Sequence, residues 1–392
     1  MSIRCFLGRL YTRETRRYHL PGKQAVSQNG SVYSAAQILR DRRRRRPLVI
    51  LEAEAHGELL FRGLRENDMT WSLFVLPSPR ASVEYADTAA RMYRIDKCDC
   101  IVALGGGAVM NTAKAAAASA PRPGILFGKR AFRRLRAPFV PMLFAIPMQA
   151  DGETSAGEAT VYREDGTCCT VVGKKLVPAV ELLEPGFLEN TSREELADAG
   201  FAGLSRAVEA YIAPGTGDEE CLSLAACAVK EYLENLEPCW NDGGTTQQRV
   251  GLMEAARKAG LASSGLGYGY IRGFGEGLCR AGLSGGEAYA VILPLVLEKY
   301  GNSITDKLSR LASLTGVMES GGRPERAAAM ICRIRDMAFR MGLPETVSGV
   351  GWADKDAIAW CTATDIHSLP PVYWTEKQCL NILELAENPN IF

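Results

Sequence analysis

The run Ile101-Val102-Ala103-Leu104-Gly105-Gly106-Gly107-Ala108-Val109-Met110-Asn111-Thr112-Ala113-Lys114 constrains this chain more than any other. Four apolar residues in a row predict a strand buried on both faces, as in a parallel sheet. Three glycines then predict a turn, and Ala113 to Ala118 predicts a helix, alanine being the strongest helix former. A strand, a glycine turn and a helix N-terminus form an anion site. The bare backbone lets a phosphate approach, and the free N–H groups and the helix dipole attract it. Gly105, Gly106, Gly107 and Ala108 are the candidates for holding a dinucleotide pyrophosphate. A tight turn without a ligand is the alternative for the three glycines alone.

The same alternation extends on both sides. Leu48-Val49-Ile50-Leu51 predicts a buried strand ending at Glu52, and Trp71 to Leu76 and Phe139 to Ile146 predict two more. Val83 to Arg94 has helical periodicity, with Tyr85, Ala89, Met92 and Tyr93 facing inward. Strands alternating with helices predict a doubly wound parallel sheet. After about Pro185 the texture changes to long periodic segments: Arg193 to Ile212, Asp218 to Leu236, Gln247 to Ala262, Glu287 to Tyr300 and Pro324 to Met341. We therefore expect an α/β dinucleotide-binding domain over residues 1–188 and an all-α domain over 189–392, each with a full core.

Bulk properties exclude several classes. A formal net charge of +1 supplies no global field for nucleic acid or membrane, and no apolar run is long enough to span a bilayer. The arginine-rich start is interrupted by Glu14 and lacks the apolar core of a secretory signal. Twelve cysteines lie scattered with no Cys-x-x-Cys, which predicts a reduced, cytoplasmic setting. The five arginines Arg42 to Arg46 predict a solvated helix end, with an anion patch as the alternative. Only three histidines occur, His19, His56 and His367, so imidazole metal chemistry is constrained.

Leu104 to Lys114 resembles the Gly-Gly-Gly-Ser-x-x-Asp-x-Ala-Lys signature of the iron-containing alcohol dehydrogenases, a group similar to glycerol dehydrogenase and dehydroquinate synthase. Ala108 stands in the place of Ser and Asn111 in the place of Asp. Pro77-Ser78-Pro79 is similar to the family's Pro-Asn-Pro turn. Ile146-Pro147-Met148-Gln149 resembles its Ile-Pro-Thr-Thr, while Asp151-Gly152-Glu153-Thr154 departs from its Gly-Thr-Gly-Ser. Leu183-Glu184-Pro185 resembles its Asp-Pro element. Ala207 to Tyr211 and Ala290 to Pro294 match two helical segments of the metal-bearing domain. The resemblance implies a dehydroquinate-synthase-like fold and an NAD(P)-dependent oxidoreductase acting on a small alcohol, aldehyde or anionic substrate. It also implies a homodimer, with NAD preferred and NADP the alternative. It carries cofactor contacts onto Glu52, Asn111, Lys114, Met148 and Gln149 beside the glycines.

The family holds its divalent cation with one Asp and three His. Counting along the matched segments, those positions are Ala202, Arg206, Phe274 or Gly275, and Gly285, and no histidine occurs between His56 and His367. We therefore expect no transition metal; Asp198, Glu209, Glu276 and Cys279 are the remaining nearby donors. Arg206 is the one charged replacement and the candidate catalytic electrophile. Its alternative is a structural ion pair with Glu209 or with a carboxylate such as Glu287. Lys114, Arg272, Arg280 and Tyr268 are weaker candidates. Two functional readings stay open: a metal-free oxidoreductase, or a non-catalytic paralogue serving as a nucleotide-binding or partner subunit. A lyase like dehydroquinate synthase also uses metal, so the same replacements count against it.

Overall fold

The computed structural model describes residues 24–127, 132–135, 139–214, 219–266, 269–364 and 370–388. His19, His367 and Tyr268 lie outside them. The described residues fall into two compact units. One is drawn from Tyr18–Gln149 with Glu153–Glu189, the other from Asn190–Phe392 with Ala150–Gly152.

The first unit is built on a six-stranded sheet of β1 (Gln24–Ser27), β2 (Pro47–Leu51), β3 (Ser72–Val75), β4 (Cys100–Gly105), β6 (Met142–Pro147) and β9 (Val180–Leu183). The order is β1-β9-β6-β4-β2-β3 and every pairing is parallel. Strand residues alternate between two cores. Val49, Leu51, Val102 and Leu104 pack with Leu39 of α1 (Ala35–Asp41) and with Leu60 and Leu64 of α2 (Glu58–Glu66). Leu48, Ile50, Ile101 and Ala103 pack on the opposite face with Ala89 and Ala90 of α3 (Val83–Ile95) and Ala113, Ala116 and Ala117 of α4 (Gly107–Ser119). Two apolar faces per strand explain the unbroken runs in the sequence.

One expectation is corrected here. The strand expected from Phe139 begins only at Met142, because Pro141 has no N–H to give a ladder and Phe139 is 62% exposed. Of the residues expected to face inward in α3, Ala89 is buried, Met92 and Tyr93 pack half-buried against the core, and Tyr85 is half-buried; Val83, Ala86 and Ala90 are fully buried. Small residues let α3 approach the equally small face of α4. A second sheet, absent from the sequence reading, joins β5 (Phe132–Arg134), β8 (Cys168–Val172) and β7 (Glu158–Tyr162), with β7 and β8 antiparallel. Val161, Cys169 and Val171 cover the outer alanines Ala115 and Ala118 of α4, so that helix is buried on both sides.

The second unit is helical: α5 (Arg193–Ile212), α6 (Glu219–Asp242), α7 (Thr246–Ser263), α8 (Tyr270–Arg280), α9 (Gly285–Tyr300), α10 (Thr305–Leu314), α11 (Arg323–Arg340), α12 (Trp352–Thr364) and α13 (Glu376–Glu387). Capping boxes start four of them, Ser192 with Glu195, Thr245 with Gln248, Ser284 with Glu287 and Thr375 with Gln378. Helix α6 runs on through Pro238, past its expected end at Leu236. No helix of the described residues is long and apolar enough to cross a membrane.

Candidate functional site

The strand order fixes where a ligand of the sheet unit would sit. The chain leaves β2 for β3 on one flank, then crosses to β4 on the other. Ligands of open parallel sheets bind beyond the carboxyl ends at such a reversal. Leu51 pairs with Leu104, so Glu52 emerges level with Gly105. Gly106 is the N-cap of α4 and has no side chain with which to cap it. Two neighbours supply the missing acceptors. Gly106 N–H donates to Glu52 Oε1 at 3.2 Å, and Gly107 N–H donates to Gln149 Oε1 at 3.4 Å. Gly105 sits at φ +155, a conformation that side chains rarely adopt, and a Cβ there would lie 2.9 Å from Val109 Cβ. Ala108 is half-buried against the α4 core, and Met148, whose N–H donates to Gly105 O at 3.0 Å, packs against the opposite core.

Glu52, the three glycines, Ala108, Met148 and Gln149 thus come together at the end of β4. Asn111 and Lys114 lie deeper. Asn111 Nδ2 donates to Gly107 O at 3.0 Å and Glu153 Oε2 at 3.3 Å, and its Oδ1 accepts from Thr160 N–H at 2.9 Å. The buried Lys114 ammonium donates to Glu153 O at 2.5 Å, Ala156 O at 2.6 Å and Glu158 O at 3.3 Å. Both side chains fasten the 153–160 segment to α4. Glu153 was missed by sequence reasoning; its partner lies 42 residues away, and no local pattern announces it.

In the helical unit Arg206 is 3% exposed, on α5 one turn beyond Ala202. Its Nη1 donates to Ser263 Oγ at 3.3 Å. Gly152, at φ +77, lies over its stem: a Cβ there would be 3.0 Å from Arg206 Cδ and 3.2 Å from Ala256 O. Tyr232 Oη donates to Ala150 O at 2.7 Å and completes the seat of the Ala150–Gly152 segment. The two carboxylates named as its alternative partners are engaged elsewhere. Glu209 accepts from the N–H groups of Gly269 (3.2 Å), Ile271 (2.9 Å) and Arg272 (3.5 Å) at the start of α8, and Glu287 closes the capping box with Ser284 N–H at 3.0 Å. Both carboxylates serve helix ends.

The residues that the resemblance assigns to the metal positions do not fit a transition metal. Ala202 has no donor and Arg206 is a cation. A Cβ at Gly275 would collide with the Tyr289 ring, and one at Gly285 would lie 3.3 Å from Asp198 Cα. Phe274 is a buried ring stacked 6.3 Å from Tyr270. The remaining donors are engaged or unsuited. Asp198 Oδ1 accepts from Gly286 N–H at 2.6 Å, and Glu209 is held as above. Burial, then the neighbouring Glu276 and Asp198 carboxylates, push the Cys279 thiol up to about 12, far from the thiolate a metal needs. Among the described residues no group of three or more His, Cys, Asp or Glu side chains converges. A pocket of about 750 Å³ in this unit, lined by Tyr211, Glu219, Lys230 and Arg310 among others, includes none of the expected site residues.

Comparison with known proteins gives the context. Residues 22–185 match the family described as iron-containing alcohol dehydrogenase. The NAD-dependent methanol dehydrogenase of Bacillus methanolicus is 23% identical over 341 residues, 85% of this chain and 89% of that protein. The 1,3-propanediol dehydrogenase of Klebsiella pneumoniae is 26% identical over 313 residues, 75% and 76% of the two chains. Among solved structures, a 1,3-propanediol oxidoreductase superposes with a TM-score of 0.85 at 20% identity, covering 93% of this chain and 97% of its own. A sulfoacetaldehyde reductase from Bifidobacterium kashiwanohense in complex with NAD+ superposes with a TM-score of 0.82 at 19% identity, covering 94% and 98%. These structures share the fold. Residues 22–185 and the curated relatives make the chain similar to the iron-containing alcohol dehydrogenases.

Proposed function

We propose that this chain binds NAD at the glycine turn and acts as an alcohol or aldehyde oxidoreductase on a small, polar or anionic substrate without a transition metal. The observation that carries the cofactor half is the placing of Glu52 and Gly106 side by side at the β2–β4 reversal. Gly106 N–H holds one carboxylate oxygen of Glu52. The other is left to accept from the ribose hydroxyls and would repel a 2′-phosphate, which favours NAD over NADP. NAD-dependent relatives support the same choice. Bound NAD would supply the hydride acceptor for the carbinol carbon, whose hydroxyl proton would pass to solvent water. A guanidinium near that oxygen stabilises the developing alkoxide, and this is the role we assign to Arg206. The family resemblance is also the basis for expecting a homodimer in the cytoplasm, which light scattering and cell fractionation check.

A second reading, a nucleotide-binding partner subunit without turnover, is favoured by one observation: the Arg206 guanidinium is bonded to Ser263 and its stem lies beneath Gly152. Calorimetry with NAD and NADP, followed by assays on short alcohols and aldehydes with chelator present, separates the two. NAD binding roughly tenfold tighter than NADP, about 1.4 kcal/mol, is expected; equal or tighter NADP binding refutes the ribose role of Glu52. Chelator-resistant turnover that Arg206→Ala abolishes and Arg206→Lys partly restores supports the oxidoreductase. NAD binding without turnover, with Arg206→Ala lowering only the melting temperature, supports the partner subunit.

A further inference from the structure

The glycine turn is bare in sequence but not in structure. A helix start leaves N–H groups without intrahelical acceptors, and these make it an anion site. Here the N–H groups of Gly106 and Gly107 both have acceptors, and both come from side chains of the same unit. The two acceptors differ in kind. Glu52 is charged, holds the shorter bond at 3.2 Å and reaches the turn from the end of β2. Gln149 is neutral, half-buried, and held by one long bond of 3.4 Å. Its amide lies directly over Gly106: a Cβ there would collide with Gln149 Oε1 and lie 2.6 Å from Cδ. The face that glycine opens to a ligand is the face that Gln149 covers. The amide oxygen therefore stands where a phosphate oxygen would take the Gly107 N–H.

We infer that Gln149 is a displaceable cover on the phosphate-binding turn, and that a dinucleotide enters by pushing its amide off Gly107 while Glu52 stays on Gly106. The inference rests on the dinucleotide reading above. Gln149 is the member of the pair that moves. A neutral side chain with three rotatable torsions and one long hydrogen bond costs little to displace. The affinity the protein shows for a pyrophosphate is then its intrinsic affinity reduced by the share of molecules in which Gln149 covers the turn. The cover also discriminates. It weakens anything that must reach Gly107 N–H and leaves untouched a ligand with no phosphate.

Calorimetry on the wild type, Gln149→Ala and Gln149→Glu, with NAD, ADP and adenosine, tests this, together with amide exchange at Gly107 measured without nucleotide. Gln149→Ala is expected to tighten NAD and ADP by roughly three- to tenfold, the worth of one neutral hydrogen bond. Gln149→Glu is expected to weaken both by about tenfold or more, because it sets a carboxylate against the incoming phosphate. Adenosine binding should not change. The Gly107 amide should exchange faster in Gln149→Ala than in the wild type and regain protection when NAD is added. Unchanged or weaker NAD binding in Gln149→Ala, in a variant that melts like the wild type, overturns the cover and leaves the NAD reading standing. Failure of all three proteins to bind NAD or ADP overturns both.

Discussion

Gly105 and Gly106 are neighbours, yet each is glycine for a different reason, and each substitution should fail differently. At Gly105 the backbone itself, at φ +155 against Val109, excludes a side chain. At Gly106 the obstacle is Gln149, whose amide can move. Gly106→Val should therefore leave a folded protein that no longer binds NAD, because two branches stand where the pyrophosphate must approach; unchanged NAD affinity in calorimetry would place the site elsewhere. Lys114 belongs to another kind of position. It matches the family's signature, but its ammonium binds three carbonyls of the 153–158 segment. Lys114→Met leaves those buried carbonyls without their donor. It should lower unfolding free energy by about 3 kcal/mol in urea denaturation. The motif made Lys114 and the glycines legible as a group. Which of them faces a ligand and which fastens a segment depends on residues 39 to 44 positions away.

At the scale of elements, α8 shows how one helix end is held by another helix. Its start at Gly269 has no side-chain cap, and Glu209 on α5 receives three of its N–H groups. Burial, the larger influence, raises the Glu209 carboxyl above its ordinary 4.5, while the Arg272 guanidinium and the three backbone donors lower it. A carboxyl raised on folding holds its proton more tightly in the folded chain. Its contribution is full below 4.5 and is lost as pH rises through the folded value. Glu209→Gln has no such proton to lose. The melting temperature of the variant should gain on that of the wild type as pH rises from 4.5 towards neutrality; a constant difference across that range would contradict the raised pKa. Helices α5, α7 and α9 were legible from their long apolar periodicity, whereas α13, although Thr375 and Gln378 cap it, was not among the expected segments. Helix α8 was not, because its cap lies about sixty residues upstream on another element.

For the whole molecule, the expected composition is protein without stoichiometric iron or zinc. Elemental analysis after gentle purification should find well under one equivalent, and chelator should leave the melting temperature unchanged; one equivalent of either metal per chain would refute it. The sequence by itself determined the buried strand runs, the glycine turn between β4 and α4, the long helices after Pro185 and the presence of Ala202 and Gly285, which carry no donor side chain. Those features are local or are matters of residue identity, and spacing along the chain suffices to read them. Only the tertiary structure decided that Gln149 covers Gly106, that Tyr289 takes the space beside Gly275, that Asp198 and Glu209 serve helix starts, and that Arg206 lies against Ser263 and Gly152. These depend on which distant side chain reaches a bare backbone group or fills a gap first, and close packing settles that only when the elements have met.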